Sequence, residues 1–429
     1  MIDTARPLRF CHLTTFYPPH SFGGDAIGIQ RLARGLARRG HDVTVVYDMD
    51  AFMALHRGPE PALPPETDGV RVIRMRSRLG ALSPLMTQQF GRPVVHGRAI
   101  ERVLESGAFD VINFHNISLL GGPGLLALGG GVKVYMAHEH WLVCPSHVLW
   151  RHNREPCAGR QCLRCVAAFR RPPQLWRYTG RLEQALSAVD VFIAMSDFSR
   201  RKHQEFGFTP PMDVLPYFLP DPDGEPMSSS DAEPSPHARP YFLFVGRLEK
   251  IKGLDTIIPV FRHYNAADLL VVGDGAQAAE LRELARDLPH VRFVGRLAPE
   301  ALARFYRHAI ALIVPSVGFE TFGIVLIEAF RGGAPVIARR LGPFPEIVNL
   351  ARAGELFSTV EELVAAMRSL QEDPERRATF VRNGYEAYRR YWTESAVIPR
   401  YLDIIYSAAG RRGGRGIAGA PAGTAVAGT

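Results

Sequence analysis

The chain has 429 residues, 46% hydrophobic and 22% charged, a composition that suits a globular protein with two or three domains and sizeable cores. Its net charge of +8 is lopsided: residues 1–220 hold 26 Lys and Arg against 18 Asp and Glu, and the rest is balanced at 25 each. No run approaches the ~18 apolar residues of a membrane helix and no charged-then-apolar leader opens the chain, so a cytoplasmic protein is expected; a basic half suits an anionic membrane surface or a phosphate-bearing acceptor, while the lack of a basic–aromatic module argues against nucleic acid.

In chain order, Leu8 to Thr15 reads as a short apolar strand, followed by a loop with Gly23-Gly24. A helix is expected from about Ala26 to Arg39, with Ile27, Leu32 and Leu36 inward, and Gly40 stops it before a strand from Asp42 to Tyr47. Strand, glycine loop, helix, strand opens a parallel sheet. The glycine pair lets backbone approach a ligand with no Cβ in the way, though a plain tight turn reads the same. Val70 to Met75 is a further strand, with Arg71, Arg74, Arg76 and Arg78 in and after it. Pro84 to Leu104 reads as helix interrupted by Gly91 and Pro93. Arginines beside Leu79, Leu82, Leu85 and Met86 suit a membrane surface, or equally a solvated rim around an acceptor cleft.

Asp110 to Phe114 and Val132 to Ala137 are apolar strands ending in His115-Asn116 and His138-Glu139-His140. Four of the five cysteines then follow within a short stretch: Cys144, Cys157 after twelve residues, Cys162 after four, Cys165 after two, with Cys11 expected to be buried in the first strand. That spacing, closing in C-x-x-C, fits a structural zinc site of four thiolates; an iron–sulfur cluster or unliganded thiols fit it too. A reducing compartment argues against disulfides. Leu175 to Ala188 reads as a helix, and Val191 to Met195 as a strand leading into Ser196-Asp197-Phe198-Ser199.

Residues 221–239 are rich in Pro and Ser and lack apolar periodicity, which marks an interdomain linker suited to a hinge. The pattern restarts at the strand Tyr241 to Val245, followed by Arg247 and Lys252 in one loop, spaced to compensate a departing diphosphate. Strands from Asp268 to Gly273 and from Val291 to Gly295 follow, the second ending in Arg296-Leu297. A helix from Pro299 to His308 leads to the strand Ile310 to Pro315. Next comes Glu320-Thr321-Phe322-Gly323-Ile324-Val325, where Gly323 opens a helix carrying Glu328 and ended by Gly332-Gly333. The free N–H groups of that helix start suit a phosphate. No G-x-G-x-x-G follows the first strand of either half, which weakens a nicotinamide-dinucleotide reading. Residues 360–409 read as helical, with Tyr385, Tyr388, Tyr391 and Trp392 as packing aromatics, and 410–429 as a Gly/Ala-rich disordered tail.

Glu320, seven intervening residues and Glu328, with Gly333 and Pro335-Val336-Ile337 behind them, resemble the signature of the family-4 retaining glycosyltransferases, and Gly246-Arg247 with Lys252-Gly253 resembles that family's diphosphate loop. The resemblance spans about residues 8–405. It implies an α/β protein of GT-B fold: two Rossmann-like parallel-sheet domains facing across a cleft, 1–220 (with a cysteine-rich insertion at 141–170) for the acceptor and 240–385 for the nucleotide sugar, with helices 386–409 crossing back. It implies no catalytic metal, a nucleotide-diphosphate sugar as donor substrate, and a hydroxyl acceptor, lipid-linked or anionic given the basic half. Carried over residue by residue, His138, Glu320, Arg247 and Lys252 are the catalytic candidates. Gly23, Gly24, Arg247, Lys252, Arg296, Leu297, Phe322, Gly323, Ile324, Val325 and Glu328 are the donor-binding candidates. Glu139 stands where the family has Asp after the histidine, and Tyr217-Phe218-Leu219 replaces its usual Asn-Gly-Val-Asp. Asp48-Met49-Asp50 resembles the metal triplet of the other large glycosyltransferase fold, but at a strand end in this pattern it reads as a solvated turn. A nucleotide-sugar epimerase and a non-catalytic nucleotide-sugar-binding protein are the alternatives.

Overall fold

The computed structural model describes residues 6–63, 68–222 and 234–417. Two parallel sheets account for nearly all the strands. The first comprises β1 (Arg9–Thr14), β2 (Asp42–Asp48), β3 (Val70–Met75), β4 (Val111–Phe114), β5 (Val132–Ala137), β8 (Val191–Ala194) and β9 (Met212–Val214), in the order β3-β2-β1-β4-β5-β8-β9. A small antiparallel hairpin, β6 (Trp150–Arg151) and β7 (Glu155–Pro156), lies between β5 and β8 in the chain. The second sheet orders β12 (Val291–Gly295), β11 (Asp268–Val272), β10 (Tyr241–Val245), β13 (Leu312–Val314), β14 (Val336–Arg339) and β15 (Gly354–Phe357) in that sequence. The central strands are buried along almost their whole length and mostly apolar because helices cover both faces, as parallel sheets require. Each sheet reverses winding direction beside its first strand, between β1 and β4 and between β10 and β13, and ligands settle in the crevice at such a point.

Helix α1 (Gly24–Arg38) begins two residues earlier than the sequence suggests, and its inner face is set by Ala26, Ile29, Leu32, Ala33 and Leu36; Ile27 points outward, 41% exposed. The helix expected from Leu175 to Ala188 breaks into Leu175–Tyr178 and Arg181–Leu186, because Gly180 adopts φ 74 between them. The chain crosses back through two long helices, Pro374–Tyr391 and Glu394–Ile417. Trp392 stacks on Phe330, Tyr388 donates to the Pro220 carbonyl, Tyr401 accepts from Asn113 Nδ2 at 2.6 Å, and Glu394 pairs with Arg38 and Arg39. The last helix extends to Ile417, where the composition suggests a disordered tail from Gly410. Arg412 anchors it to the Gly130 and Gly131 carbonyls and to Asp190. Most of the linker expected at 221–239, and residues 418–429, lie outside the described residues.

The Asp48-Met49-Asp50 triplet is buried, which corrects its reading as a solvated turn. Asp48 caps the helix Met49–Leu55 through Ala51 N, and Asp50 accepts from Ser77 N, Ser77 Oγ and His96. Burial pushes the Asp48 carboxyl up to about 7. Asp48, Asp50 and His96 bring their ligand-type atoms within 4.8 Å of one another, but Asp50 and His96 are already engaged in tying the Ser77 loop to the end of β2.

Candidate active site

The predicted donor residues fall at the carboxyl ends of β1, β10, β12 and β13, with Glu328 in the helix that follows the β13 loop. After β10 a short 3-10 turn, Lys250–Lys252, is closed by Gly253 at φ 68; a Cβ there would stand 2.3 Å from the Pro315 carbonyl, so the loop can lie against β13's exit only with glycine. This apposition sets Lys252 Nζ 2.8 Å from Glu320 Oε1, and Ser316 Oγ donates to the same oxygen at 2.7 Å. Burial raises the Glu320 pKa, but Lys252, Ser316 and Arg247 outweigh it and hold the carboxyl below its ordinary range. Glu320 therefore stays ionised and is a hydrogen-bond acceptor. Arg247 lies on the same rim, half-exposed, with Nη1 2.8 Å from Glu249.

Gly323, at φ 105, opens the helix Ile324–Gly332, with its first-turn N–H groups free of any side-chain cap. Across the cleft a Cβ on Gly24 would lie 3.3 Å from Ile324 Cδ1, so the two glycine turns face each other at close range. One turn along, Glu328 Oε1 lies 3.7 Å from Arg31 Nη2 of α1. Burial raises the Glu328 pKa against the opposing pull of Arg31 and Arg331, so the pair is only partly compensated. Phe322 is buried against Tyr217, while Ile324, Val325 and Leu297 are half-buried and Arg296 is exposed at the end of β12.

His138 is where the sequence suggests, at the end of β5, but its ring is fully engaged: Nε2 lies 2.8 Å from His115 Nδ1 and Nδ1 2.5 Å from Tyr217 Oη. His115 Nε2 continues to His12 Nδ1 at 2.8 Å. The outward-facing part of His138 is its carbonyl, which accepts from Thr321 Oγ1 at 2.9 Å; Ser196 Oγ in turn donates to the Thr321 carbonyl at 2.6 Å. Glu346 bridges the domains a second way, accepting from Asp197 N and Phe198 N at 3.0 Å each, where a helix N-terminus favours a carboxylate.

Arg31, Asp25, Tyr217, Thr321 and Glu346 were not singled out as site residues from the sequence. Asp25 directly follows the glycine pair; burial first, then neighbouring Glu139, raises its pKa, while Arg247 opposes the rise. The signals available were its position after Gly24, that of Thr321 beside Glu320, and that of Glu346 in the turn at residues 342–346, which resembles one of the family's; Arg31 carries none, because its partner is distant in the chain. Two hollows of about 610 and 700 Å³ open on the flank of the N-terminal domain, but neither is lined by Lys252, Glu320 or Glu328, so they are separate from the cleft.

Two parallel-sheet Rossmann-like domains, with cation–carboxylate pairs and glycine turns at the switch points between them, define a glycosyltransferase of GT-B fold. Comparison with known proteins agrees. The family described as Glycosyltransferase Family 4 matches residues 22–219, and Glycosyl transferases group 1 matches residues 228–387. A phosphatidyl-myo-inositol mannosyltransferase of Mycobacterium leprae is 30% identical over 75% of this chain and 79% of its own length; the Mycolicibacterium smegmatis protein of that name is 27% identical over 91% and 93%. A D-inositol 3-phosphate glycosyltransferase of Corynebacterium kroppenstedtii is 34% identical over 40% of this chain, which spans 41% of that relative. Sucrose-phosphate synthase from Thermosynechococcus elongatus superposes with TM-score 0.71 at 20% identity, covering 93% of this chain and all of the other. Anabaena Alr3699/HepE in complex with UDP superposes with TM-score 0.63 at 18% identity, over 93% of this chain and all of the other. The chain belongs to the family-4, group 1 glycosyltransferases.

Proposed function

We propose that this protein is a retaining hexosyltransferase that moves a sugar from a nucleoside diphosphate to an acceptor hydroxyl without a catalytic metal. The observation that carries the reading is the Lys252–Glu320 pair standing between the uncapped helix start at Gly323 and the loop of Arg247. A diphosphate leaving group gains negative charge as the glycosidic C–O bond breaks, and Lys252, Arg247 and the helix start supply fixed positive charge there. Glu320, ionised, accepts hydrogen bonds from sugar hydroxyls, and Glu328 holds the ribose. The acceptor oxygen bonds to the anomeric carbon on the face the diphosphate leaves, and its proton passes to the departing phosphate oxygen, which gives retention.

The acceptor belongs to the N-terminal domain. Exposed Leu79, Leu82 and Leu85 beside exposed Arg76 and Arg78 form an apolar and basic surface that favours an anionic membrane, and two relatives bear the name phosphatidyl-myo-inositol mannosyltransferase. We place the acceptor among lipid-linked or anionic hydroxyl compounds, reached by peripheral docking on the inner membrane face. Among the described residues no helix is long and apolar enough to cross a membrane.

The test is a thermal-shift screen of the purified protein against UDP-, GDP-, ADP- and dTDP-sugars, repeated with Lys252→Ala. Selective stabilisation by one nucleotide class, lost in the variant, is expected. Stabilisation by none of them removes the donor assignment, and release of an altered sugar nucleotide without acceptor favours an epimerase.

A further inference from the structure

Cys144, Cys157, Cys162 and Cys165 all line one cavity of about 20 Å³, beneath the hairpin of β6 and β7. None is in a disulfide. A void of this size holds a single water or ion. The chain around it is costly to shape: His147, Leu149, His152 and Asn153 all have positive φ, a conformation that costs roughly 1–2 kcal/mol per residue outside glycine. The hairpin has two residues in each strand, too short to repay that cost through its own ladder.

We propose that these four cysteines form a structural zinc site. Four soft thiolates with a closing C-x-x-C on the first turn of the helix Cys162–Ala168 suit a closed tetrahedral centre, with Zn–S near ~2.3 Å and no position open to water. The His152 amide already donates to Cys165 Sγ at 3.3 Å, the kind of N–H···S contact that steadies a thiolate ligand. Zn²⁺ with four thiolates carries a net charge of −2, and Arg151, Arg160 and Arg177 surround the group; Arg177 senses Cys144 and Cys162, and Arg160 lines the cavity. No three of the four sulfurs lie within 4.8 Å of one another, so Cys144, Cys157, Cys162 and Cys165 would have to move inward and lose their thiol protons to hold zinc, which would then supply a purely structural cross-link.

The site acts on the cleft indirectly. Trp150, whose carbonyl lies 3.7 Å from Cys165 Sγ, packs over Gly318, where a Cβ would stand 3.2 Å from the indole. Gly318 lies two residues before Glu320. The metal therefore braces the loop that carries Glu320 and takes no part in bond making.

Full-length protein, purified without chelator or an immobilised-metal step, is analysed for metals by plasma mass spectrometry, and titrated with an organomercurial while released zinc is followed with a chromogenic chelator. About one zinc per chain, released in step with four thiols, is expected. Cys162→Ser/Cys165→Ser should fall below about a tenth of an equivalent and lose thermal stability, while Cys11→Ala keeps the metal. Should the double variant fail to fold, the wild-type titration decides. Metal-free wild-type protein after reconstitution with zinc under reducing conditions, zinc kept by the double variant, or iron with visible absorption would each overturn the assignment.

Discussion

The Nδ1 atom of His138 lies 2.5 Å from the Tyr217 hydroxyl, joining the end of β5 to the segment that leaves the N-terminal domain. With Tyr217 donating, the proton order is fixed along the neutral chain: His138 donates from Nε2 to His115, His115 donates from Nε2 to His12 Nδ1, and His12 Nε2 is buried with no partner among the described residues. His138 meets the C-terminal domain through its carbonyl, which accepts from Thr321 Oγ1. Tyr217→Phe is expected to lower kcat by roughly tenfold, the effect of one lost hydrogen bond of about 1–1.5 kcal/mol, with little change in donor KM. Equal loss in His138→Asn and His138→Ala would show that the imidazole itself contacts substrate.

Burial lowers the pKa of His12 and His138 to about 3 and of His203 to about 4. The unfolded chain, with imidazoles near 6.5, binds more protons than the fold between these values, so stability is full above 6.5 and falls as pH drops toward 4. Each such histidine contributes a slope of up to about 1.4 kcal/mol per pH unit in that window. Urea midpoints measured across it should decline steadily on acidification; a flat profile would refute the buried, neutral triad.

Lys252 and Glu320 should differ in their kinetic signature. If Lys252 compensates the departing diphosphate as proposed, Lys252→Ala is expected to cost about 10²–10³-fold in kcat. Glu320→Gln keeps the shape and loses the acceptor charge, so kcat/KM falls with a smaller effect on nucleotide binding alone. Full transfer activity in Glu320→Ala would remove its assigned role.

Arg31→Ala leaves Glu328 half-buried without its cross-domain partner. If Glu328 holds the ribose, calorimetric affinity for the free nucleoside diphosphate should change in both Arg31→Ala and Glu328→Ala, the second losing roughly 1.5–3 kcal/mol. Unchanged affinity in Glu328→Ala would place the ribose elsewhere.

Gly24→Val puts branches where even a Cβ already meets Ile324 at 3.3 Å, while Gly253→Ala meets the Pro315 carbonyl at 2.3 Å with φ 68. The first should weaken donor binding with an unchanged melting temperature. The second should destabilise the domain by more than about 2 kcal/mol. Comparable unfolding in both would show that Gly24 serves the fold alone.

The strands, the glycine turns and the Glu320–Glu328 spacing were legible in the sequence because each is local: apolar runs, loop residues and intervals along one strand–loop–helix unit. Their order also set the parallel sheets and the cleft. Ile27 and the Leu175–Ala188 helix were misread because facing and continuity hang on single residues, a neighbouring element in one case and Gly180 in the other. What tertiary structure alone decided is which polar groups share a partner. Asp50 and His96, His138 and Tyr217, and Arg31 and Glu328 are each far apart in the chain; the first two pairs meet when the first sheet and its helices assemble, the third only when the two domains come together. Burial then changes their chemistry, raising Asp48, silencing the histidines and leaving Glu320 charged, because the cost of a charge depends on surroundings that no local pattern specifies.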